Sequence, residues 1–448
     1  MDGRPKTVLI VSGSLAGLMA GIDLKDLGHQ VRIFERYPAT RMEGQGAGIT
    51  AQTDVQQFFK DCGLSEPPYS VYSPSLQIIK RDGSVKSTWN LEFENTSWNT
   101  LYHRLRAAFD GRLSEYCRQA LDIKQKKGGN GVYEHGKTVT DVKFDDKGAT
   151  LYFEDVDGGQ GSTTADLVVA ADGKFTSLAH ERKYSDSYAR VQRPARRYYH
   201  KWWSDYHSCS ILRNRAPHVQ RQYSGYVAWR GMVIEREISD ESRKVFGQKM
   251  TFCAAKRSYI LMYTIPGDKG SLEPGERLLN YVWYCNHAES SVELADLITD
   301  VNGHRHHKTL PSGGVRDEIW SKQKALVKEI LAPPFAELVT ETSQPFVATI
   351  SDTISPRASF GDGKLLLVGD VLAGFRPNAA LSTNQAAFDA VLLAKFVKGE
   401  MTEREWERAV LRYANVSAAR SRVIGTYFQG GWDTFLGTLV RYGVALLW

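Results

Sequence analysis

TVLIVSGSLAGLMAGIDLKDLGHQVRIFER, residues 7–36, is the stretch that decides the fold. Residues 7–11 are an apolar run rich in β-branched side chains, which is typical of a fully buried parallel strand. A turn of small residues, 12–17, follows and leads into a helical pattern that ends near Gly28. A second apolar strand then finishes at Glu35. The stretch therefore predicts a β-α-β unit and an α/β fold.

The turn and the acid of this unit have the arrangement of a dinucleotide site. In such sites backbone N–H groups at a helix N-terminus face a pyrophosphate, and an acid after the second strand accepts hydrogen bonds from a ribose. Glu35 stands 18 residues after Gly17, which suits that role. The usual G-x-G-x-x-G reads S-x-S-x-x-G, and serine at Ser12 lacks the conformational freedom of glycine. A β-α-β unit that binds no nucleotide is the alternative.

The composition is that of an ordinary globular protein. With 448 residues, 42% of them hydrophobic and 11% aromatic, the chain is expected to form two domains, or one large domain with an embedded second. Five cysteines without a C-x-x-C pair predict no disulfide framework and no metal site, and they fit a cytoplasmic location. No apolar run approaches the roughly 18 residues of a membrane span. The net charge of +6 does not by itself imply nucleic acid.

Two distant segments extend the pattern. Residues 166–173, DLVVAADG, and residues 363–370, GKLLLVGD, are apolar strands that each end in an acid and a glycine. Open α/β folds bind their ligands at the carboxyl ends of parallel strands. The second acid, Asp370, is therefore expected to accept hydrogen bonds from sugar-like hydroxyls. A helix starting near Ala380 would direct its N-terminal amides at the same ligand.

Together these motifs resemble those of the class A flavoprotein monooxygenases, the para-hydroxybenzoate-hydroxylase-like family. The resemblance covers about residues 7–400 and is closest to the 2,6-dihydroxypyridine 3-monooxygenase branch. Its motifs are the first unit, GAGI (46–49), ADG (171–173), GD (369–370) with Pro377, TSWNTLY (96–102), YVAWRG (226–231), PGERLLNYVWY (274–284) and PPFAEL (333–338).

The resemblance implies a fold and a division into domains. A Rossmann-like FAD-binding domain is assembled from residues 1–75, 98–182 and 346–400. An inserted mixed β-sheet substrate domain takes residues 76–97 and 183–345, and residues 401–448 form a C-terminal helical segment.

The resemblance also implies a set of residues that hold FAD. The small-residue turn would face the pyrophosphate, Glu35 and Arg36 the adenosine, Asp370 the ribityl chain, and residues 377–381 the isoalloxazine. The full set is Ser12, Gly13, Ser14, Leu15, Ala16, Gly17, Glu35, Arg36, Gly48, Arg104, Asp172, Gly369, Asp370, Pro377, Ala380 and Leu381.

One position departs from the family pattern. Many relatives carry an arginine where this chain has Trp98, so Arg104 or Arg106, further along the same predicted helix, is the candidate phosphate-facing cation. Asn378 likewise stands where relatives often have a histidine.

Alternating, aromatic-rich strands between residues 183 and 345 predict a sheet with one face toward a core or a pocket. The predicted strands are residues 226–233, 250–255, 258–265 and 278–284. In the resembled family this sheet covers the substrate over the flavin. The candidates are Tyr226, Tyr284 and Pro377 for catalysis, and Trp229, Arg230 and Trp283 for substrate binding. The alternative for each aromatic residue is a place in the sheet core.

The activity that the resemblance implies is hydroxylation of a phenol-like or hydroxypyridine-like ring, with FAD, NAD(P)H and dioxygen, through a flavin C4a-hydroperoxide. Two alternatives stay open. One is a related flavoenzyme that performs epoxidation, Baeyer–Villiger or dearomatising oxidation of a secondary metabolite, and the other is a flavin-binding protein without turnover. The expected partners are a small aromatic molecule and a second copy of the chain in a homodimer, without nucleic acid or a membrane span.

Two segments stand apart from these motifs. Residues 189–221 hold seven arginines and one lysine against one aspartate, and they are expected to meet an anionic substrate or the phosphates of the nicotinamide cofactor. A solvated positive surface is the alternative. Thr402 to Glu405 form a capping box that opens a helix toward Ile424, and the apolar residues 435–448 are expected to dock on the protein body or on a second subunit.

Overall fold

The protein was analysed as a computed structural model, which describes residues 4–39, 48–118, 128–146, 148–173, 215, 216, 219, 221–306 and 308–447. The predictions on residues 46 and 47, on residues 174–182 and on most of the basic segment 189–221 lie outside the described residues.

The strands and helices follow one another along the whole chain. The strands are β1 (Thr7–Val11), β2 (Gln30–Glu35), β3 (Gly48–Ala51), β4 (Val71–Ser73), β5 (Leu76–Ile79), β6 (Val85–Trp89), β7 (Phe93–Ser97), β8 (Asn130–His135), β9 (Lys137–Asp145), β10 (Gly148–Asp155), β11 (Gln160–Ala165), β12 (Leu167–Ala170), β13 (Gln222–Ile234), β14 (Met250–Ala255), β15 (Ser258–Ile265), β16 (Leu278–Asn286), β17 (Thr309–Leu310), β18 (Phe346–Ile354), β19 (Ser359–Phe360), β20 (Leu365–Leu367) and β21 (Ala373–Gly374). The helices are α1 (Leu15–Asp26), α2 (Thr53–Asp61), α3 (Trp98–Asp110), α4 (Asp240–Phe246), α5 (Val292–Leu297), α6 (Asp317–Ile330), α7 (Pro333–Glu341), α8 (Ser382–Lys398), α9 (Glu403–Gln429) and α10 (Trp432–Leu447).

The first sheet is the parallel sheet that residues 7–36 predict. Its strands run in the order β19–β20–β12–β1–β2–β8, and only β19 is antiparallel to its neighbour. Val8 of β1 lies between Val31 of β2 and Leu167 of β12. All of β12 is buried, as expected for a central strand that is covered on both faces. Helix α1 packs against both α3 and α8.

The second sheet is mixed and has the order β17–β18–β13–β16–β15–β14–β5–β6. Strands β14 and β15 have the bounds that the alternating pattern predicts, and β13 and β16 contain the other two predicted strands. One face of this sheet forms an apolar core with helices α4 to α7. The opposite face carries a second cluster of aromatic and aliphatic side chains. The prediction of an inserted mixed sheet is therefore confirmed.

One predicted domain boundary is wrong by a strand. The expected return to the FAD-binding domain at residue 346 falls at the start of β18, which pairs with β13 in the second sheet and places Val347 beside Trp229. Strand β18 is buried along nearly its whole length, so its sequence resembles a strand of the parallel sheet. The chain rejoins the first sheet only after Ile354.

The C-terminal segment is a pair of helices. The predicted capping box is present: Thr402 accepts from the backbone N–H of Glu405, and the Glu405 carboxylate accepts from the backbone N–H of Thr402. Helix α9 extends past Ile424, and its last residue, Gln429, bonds to Asn286 at the end of β16. Among the described residues, no helix is both long and apolar enough to cross a bilayer.

Candidate active site

The three predicted motifs meet at one edge of the first sheet. Strands β1, β12 and β20 are adjacent and parallel, so their carboxyl ends lie side by side. Just past these ends, the backbone N–H of Ala171 donates to the carbonyl of Val11 over 2.9 Å. A Cβ atom on Gly173 would lie 2.1 Å from Cβ of Asp370, so the second and third motifs are in direct contact.

The small-residue turn brings helix α1 close to β1. Ser12 adopts a φ of 89°, so it takes the left-handed conformation that glycine usually supplies at this position. A Cβ atom on Gly17 would lie 2.0 Å from the carbonyl oxygen of Ser12, so only glycine fits there. This close packing places the first turn of α1, Leu15 to Gly17, at the carboxyl edge of the sheet.

Glu35 holds the turn in place. It is buried, and its two carboxylate oxygens accept from the backbone N–H groups of Gly13, over 2.9 Å, and Tyr37, over 3.0 Å. Burial raises the pKa of Glu35, and the two hydrogen bonds oppose that shift. The neighbouring Arg36 is exposed and lies over the ring of Tyr37. Contact of Glu35 and Arg36 with an adenosine stays a prediction.

The two candidate cations of α3 face different ways. The guanidinium group of Arg104 donates to the carbonyls of Leu64, over 2.8 Å, and Pro68, over 3.1 Å. It is thus directed at the loop after α2 rather than at the turn, which corrects the placement of Arg104 among the cofactor-binding residues. Residues two positions apart on a helix project in nearly opposite directions, so Arg106 faces the other side.

Arg106 belongs to a stack that reaches the turn. Its guanidinium carbon lies 3.6 Å from the ring centroid of Tyr133, and one guanidinium N–H donates to the hydroxyl of Tyr102 over 2.9 Å. The Tyr133 hydroxyl donates to the carbonyl of Gly13 over 3.0 Å. Trp98, which replaces the family arginine, stacks on Tyr102 with a centroid separation of 4.6 Å. Of the two candidates, Arg106 is the one on the side of the turn, but it also forms an ion pair with Asp110 over 2.6 Å, and its contact with a phosphate stays a prediction.

Gly369 of the third motif is anchored by a residue that the sequence did not single out. Asp389 of α8 accepts from the backbone N–H of Gly369 over 2.8 Å and is fully buried. Burial raises the pKa of Asp389 well above its ordinary value. Gly369 has a φ of 64°, and a Cβ atom there would lie 2.7 Å from Cβ of Ala16. The third motif is therefore packed directly on α1.

The segment after Pro377 forms a short 3-10 turn, Pro377–Ala379, before α8 begins at Ser382 rather than near Ala380. Ala380 has a φ of 51°, a second left-handed position without glycine. The side-chain amide of Gln52 donates to the carbonyls of Ala379, over 2.8 Å, and Ala380, over 3.1 Å. The segment is thus held against the start of α2.

Trp229 and Trp283 do not lie on the face of the second sheet that carries the other candidates. Both are fully buried in the core formed with helices α4 to α7, where Trp229 contacts the ring of Trp320. Successive residues of a strand point to opposite faces, so Arg230 and Tyr284 are on the other side. The prediction that the two tryptophans bind substrate is therefore wrong, and their alternative place in the sheet core is confirmed.

The opposite face holds a buried polar chain. Tyr226 donates from its hydroxyl to Oδ1 of Asn378 over 2.7 Å, and the amide nitrogen of Asn378 donates to the hydroxyl of Tyr259 over 2.7 Å. Burial raises the pKa of Tyr226 well above its ordinary value, while the nearby charge of Arg376 opposes the shift. Tyr284 packs against Tyr226 and Tyr259 without joining the hydrogen bonds. Asn378 and Tyr259 are site residues that sequence reasoning did not assign.

Arg230 lies on this same face beside Tyr263 and Tyr284. Within the described ranges it has no hydrogen-bond or ion-pair partner, and its charge acts on both tyrosines. Burial raises the pKa of Tyr263 to about 12, and Arg230 opposes that shift. Asn280 on the next strand accepts from the backbone N–H of Gly48 over 3.3 Å. Gly48, a predicted cofactor residue, therefore links the second sheet to β3, which pairs with β7 in a separate three-stranded sheet.

Positive charge also gathers near the third motif. The guanidinium nitrogens of Arg221, the last residue of the basic segment, lie 3.3 Å from the position of a Cβ atom on Gly374. Burial, together with the charges of Arg221 and Arg36, lowers the pKa of Lys308 to about 8. Asp370 is close enough to stabilise the charge of Arg221. Such a cluster suits an anionic group at the sheet edge.

Comparison with known proteins agrees with this arrangement. Residues 6–189 match the family model described as FAD binding domain, and residues 223–352 match one described as FAD binding domain-like. The chain is 26% identical over 445 residues to 2,6-dihydroxypyridine 3-monooxygenase of Paenarthrobacter nicotinovorans, covering 96% of this chain and 94% of that protein.

Solved structures share the fold. The structure of 2,6-dihydroxypyridine-3-hydroxylase from Arthrobacter nicotinovorans has a TM-score of 0.75 and 23% identity and covers 96% of both chains. HpxO of Klebsiella pneumoniae, complexed with FAD and uric acid, has a TM-score of 0.65 and 16% identity over 98% of this chain and 92% of that one.

Proposed function

We propose that this chain, a member of the class A flavoprotein monooxygenases, uses FAD, NAD(P)H and dioxygen to hydroxylate an electron-rich aromatic or heteroaromatic ring of the phenol or hydroxypyridine kind. The relative from Paenarthrobacter nicotinovorans, whose name gives 2,6-dihydroxypyridine as its substrate, supports this ring class and covers nearly the whole chain. The chemistry of the residues on the face of the second sheet that is opposite helices α4 to α7 supports it independently.

The sheet edge suits the phosphates of a flavin dinucleotide. The first intrahelical hydrogen bond of α1 runs from the N–H of Leu18 to the carbonyl of Ser14, so the earlier N–H groups are directed out of the helix, toward the edge. Arg36, Arg221 and Lys308 supply positive charge there. The turn 12–17 would thus hold the pyrophosphate, and Asp172 and Asp370 would accept from hydroxyl groups.

The flavin ring is expected beside the segment that follows Pro377. Pro377 opens the 3-10 turn that carries Asn378, so its contribution is to position that amide rather than to react. Leu381 is buried behind the turn, and the Gln52 amide donates to the carbonyl of Ala379 in the turn. When bound, FAD supplies the redox chemistry with dioxygen, while the chain orients the ring and excludes water.

The observation that carries the proposal is the polar chain Tyr226–Asn378–Tyr259 on the face of the second sheet that is opposite helices α4 to α7. A hydroxylated ring becomes a better nucleophile when its hydroxyl proton is withdrawn. The Tyr226 hydroxyl donates its own proton to Asn378, so its oxygen can accept a hydrogen bond from a ring hydroxyl; this contact polarises the O–H bond of the ring while both tyrosines stay neutral. Tyr226 is the member of this chain that we assign to contact the ring hydroxyl.

Arg230 is assigned to the developing negative charge of the ring. It is half-buried, and no acid neutralises it within the described part of the chain. A guanidinium group in such a setting stabilises a phenolate or a related anion more strongly than it would in water. The proposed substrate therefore binds more tightly as its hydroxyl proton is lost.

The test is a substrate screen on the purified chain. Hydroxypyridines and phenolic acids are added with NADH or NADPH, and the expected result is a flavin absorbance spectrum together with oxidation of the nicotinamide that one ring class stimulates. Product analysis with labelled dioxygen should show one labelled oxygen atom on a ring carbon. A label in an epoxide or a lactone would instead support the other oxidations, and a protein that cannot be reconstituted with FAD would refute the proposal.

A further inference from the structure

One buried carboxylate binds two arginines next to Tyr226. The side chain of Asp352, near the end of β18, is 6% exposed, and its Oδ2 accepts from the Nε–H groups of Arg376 and Arg422, each over 2.9 Å. Arg376 belongs to the loop just before the turn that carries Asn378, and Arg422 belongs to α9. Two guanidinium groups on one carboxylate leave this cluster with a net positive charge.

Helix α9 also fixes the backbone of the same loop. Ser421 is buried, and its hydroxyl donates to the carbonyl of Arg376 over 2.8 Å. One turn later on the helix, Gly425 packs against Asn378, since a Cβ atom on Gly425 would lie 3.2 Å from the amide nitrogen of Asn378. One helix therefore holds both the arginine and the amide, and the C-terminal segment forms part of the wall around Tyr226.

The charge of Arg376 acts on the hydroxyl of Tyr226. Burial raises the pKa of this hydroxyl, the charge of Arg376 is the strongest opposing effect, and the carboxylate of Asp352 acts in the same direction as burial. The arginine therefore outweighs the acid at this point. The neighbouring strands direct further ionisable side chains to this side of the second sheet, and these are Arg230 of β13, Tyr259 and Tyr263 of β15, and Tyr284 of β16.

We propose that Arg376 is a positioning residue of the active site, which acts through Tyr226 to stabilise the anion of the bound ring and is held in place by Asp352 and α9. The inference rests on the proposed function, because Tyr226 is assigned there to the ring hydroxyl. A positive charge within about 4 to 6 Å of an acidic group favours its ionised form. Arg376 thus adds to the charge of Arg230, so the site is expected to bind rings as anions and to favour rings whose hydroxyl ionises readily.

A purely structural role for Arg376 would have a different consequence. An arginine that only ties its loop to α9 would, when lost, lower the melting temperature without changing the ionisation of a bound ring. Arg357 provides the matched control, because its Nε–H donates to Glu407 of α9 over 2.8 Å and ties the loop after β18 to the same helix. Glu407 is 14 residues before Ser421, which is about 20 Å along the helix axis.

The experiment measures the ionisation of a ring bound to the holoenzyme. The probes are 4-nitrophenol and 2-hydroxy-5-nitropyridine, whose anions differ in absorbance from the neutral rings, and nicotinamide is left out so that no turnover occurs. Difference spectra over a pH series give the ionisation constant of the bound probe. Arg376→Met should lower this constant at least about tenfold. Arg376→Lys, which keeps the charge, and Arg357→Met should both stay within about threefold of the native protein.

Each outcome decides the inference. A tenfold fall in Arg376→Met that Arg376→Lys restores, at native flavin content, supports it. Equal constants in the native protein and Arg376→Met refute it and leave the proposed function standing, and so does an equal fall in Arg376→Lys. If Arg376→Met does not retain FAD, Arg376→Gln is measured in its place with the same expected fall. A native holoenzyme that binds neither probe refutes the proposed function, and the inference with it.

Discussion

Replacing Gly17 with alanine should greatly weaken FAD binding while the chain still folds. A Cβ atom at this position would lie 2.0 Å from the carbonyl oxygen of Ser12 and 3.1 Å from its carbonyl carbon. Both are backbone atoms, so no side-chain rotation relieves the contact. Because van der Waals contact requires roughly 3.5 Å, the start of α1 has to move by about 1 Å or more relative to β1.

The size of the effect follows from that shift. Overpacking of this kind costs about 1 to 3 kcal/mol of stability. A displacement of about 1 Å in groups that bind a ligand can lower the binding or rate constant about 100-fold. Since the displaced groups are the N–H groups of Leu15 to Gly17, which are assigned to the pyrophosphate, the affinity for FAD should fall by at least about tenfold.

Gly21 provides the matched control on the same helix. A Cβ atom there would meet Cε2 of Phe109 at 3.0 Å and Cδ1 of Ile33 at 3.1 Å, both of which belong to side chains that can adjust. Alanine also gains up to about 1 kcal/mol of helix propensity over glycine. Gly21→Ala should therefore stay close to the native protein in stability and in flavin content.

The assay is titration of the apoprotein with FAD, followed by flavin absorbance and fluorescence, with thermal melting of each apoprotein alongside. The native protein and Gly21→Ala should have the same dissociation constant for FAD, and that of Gly17→Ala should be at least about tenfold higher. Equal affinities in all three proteins would refute the assignment of the turn to the pyrophosphate. Loss of folding in Gly17→Ala would be visible in the melts.

Three further predictions address the other assignments. Tyr226→Phe should lower kcat about 100-fold at unchanged flavin content, whereas Tyr281→Phe, on the helix-facing side, should leave kcat near native; equal kcat values in steady-state assays would contradict the role of Tyr226. Arg230→Met should raise KM for the ring substrate about tenfold or more, while Trp229→Phe should lower only the melting temperature; a raised KM in both variants would contradict the correction made above. Asp389 has a raised pKa in the folded state, so its proton favours folding at low pH and stability is lost as pH rises. Asn at this position stays neutral at every pH. The melting temperature of Asp389→Asn minus that of the native protein should therefore be larger at about pH 8 than at about pH 5. A difference that does not change with pH would argue against a buried titrating carboxyl.

Local sequence patterns account for the parts of the site that belong to single strands. The β-α-β unit and the two further strands that end in an acid and a glycine follow from continuous apolar runs, and the bounds of β14 and β15 follow from alternation. Parallel strands end at the same edge of a sheet, and this geometry brings Gly173 and Asp370 together. These contacts are predictable since they need only strand order and direction.

The wrong predictions for Trp229 and Trp283 concern the face of the sheet to which each side chain points. Trp229 and Arg230 are neighbours on one strand, as are Trp283 and Tyr284, so alternation alone forbids all four from lining one pocket. The pattern shows which residues share a face but not which face covers the site. Only the packing of helices α4 to α7 on the tryptophan side decides that question.

Other site residues had no local signal. Tyr226 meets Asn378 across 152 residues, and Tyr259 meets it across 119 residues, so no motif of short range joins them. Gly369 is bonded by Asp389 from a helix face whose other members are ordinary core residues. Such contacts exist only once the two sheets and α8 are assembled.

Ser12 and Ala380 explain how this site departs from the glycine pattern and still keeps its geometry. Each residue has a positive φ without being glycine, which costs about 1 to 2 kcal/mol. The N–H of Ser12 donates to the carbonyl of Phe34, and the carbonyl of Ala380 accepts from Gln52. A conformation of this kind persists where surrounding contacts determine it. The two turns are thus held by the folded sheet and α2 rather than by their own backbone freedom, so a search for glycines alone underestimates how well this chain can bind its cofactor.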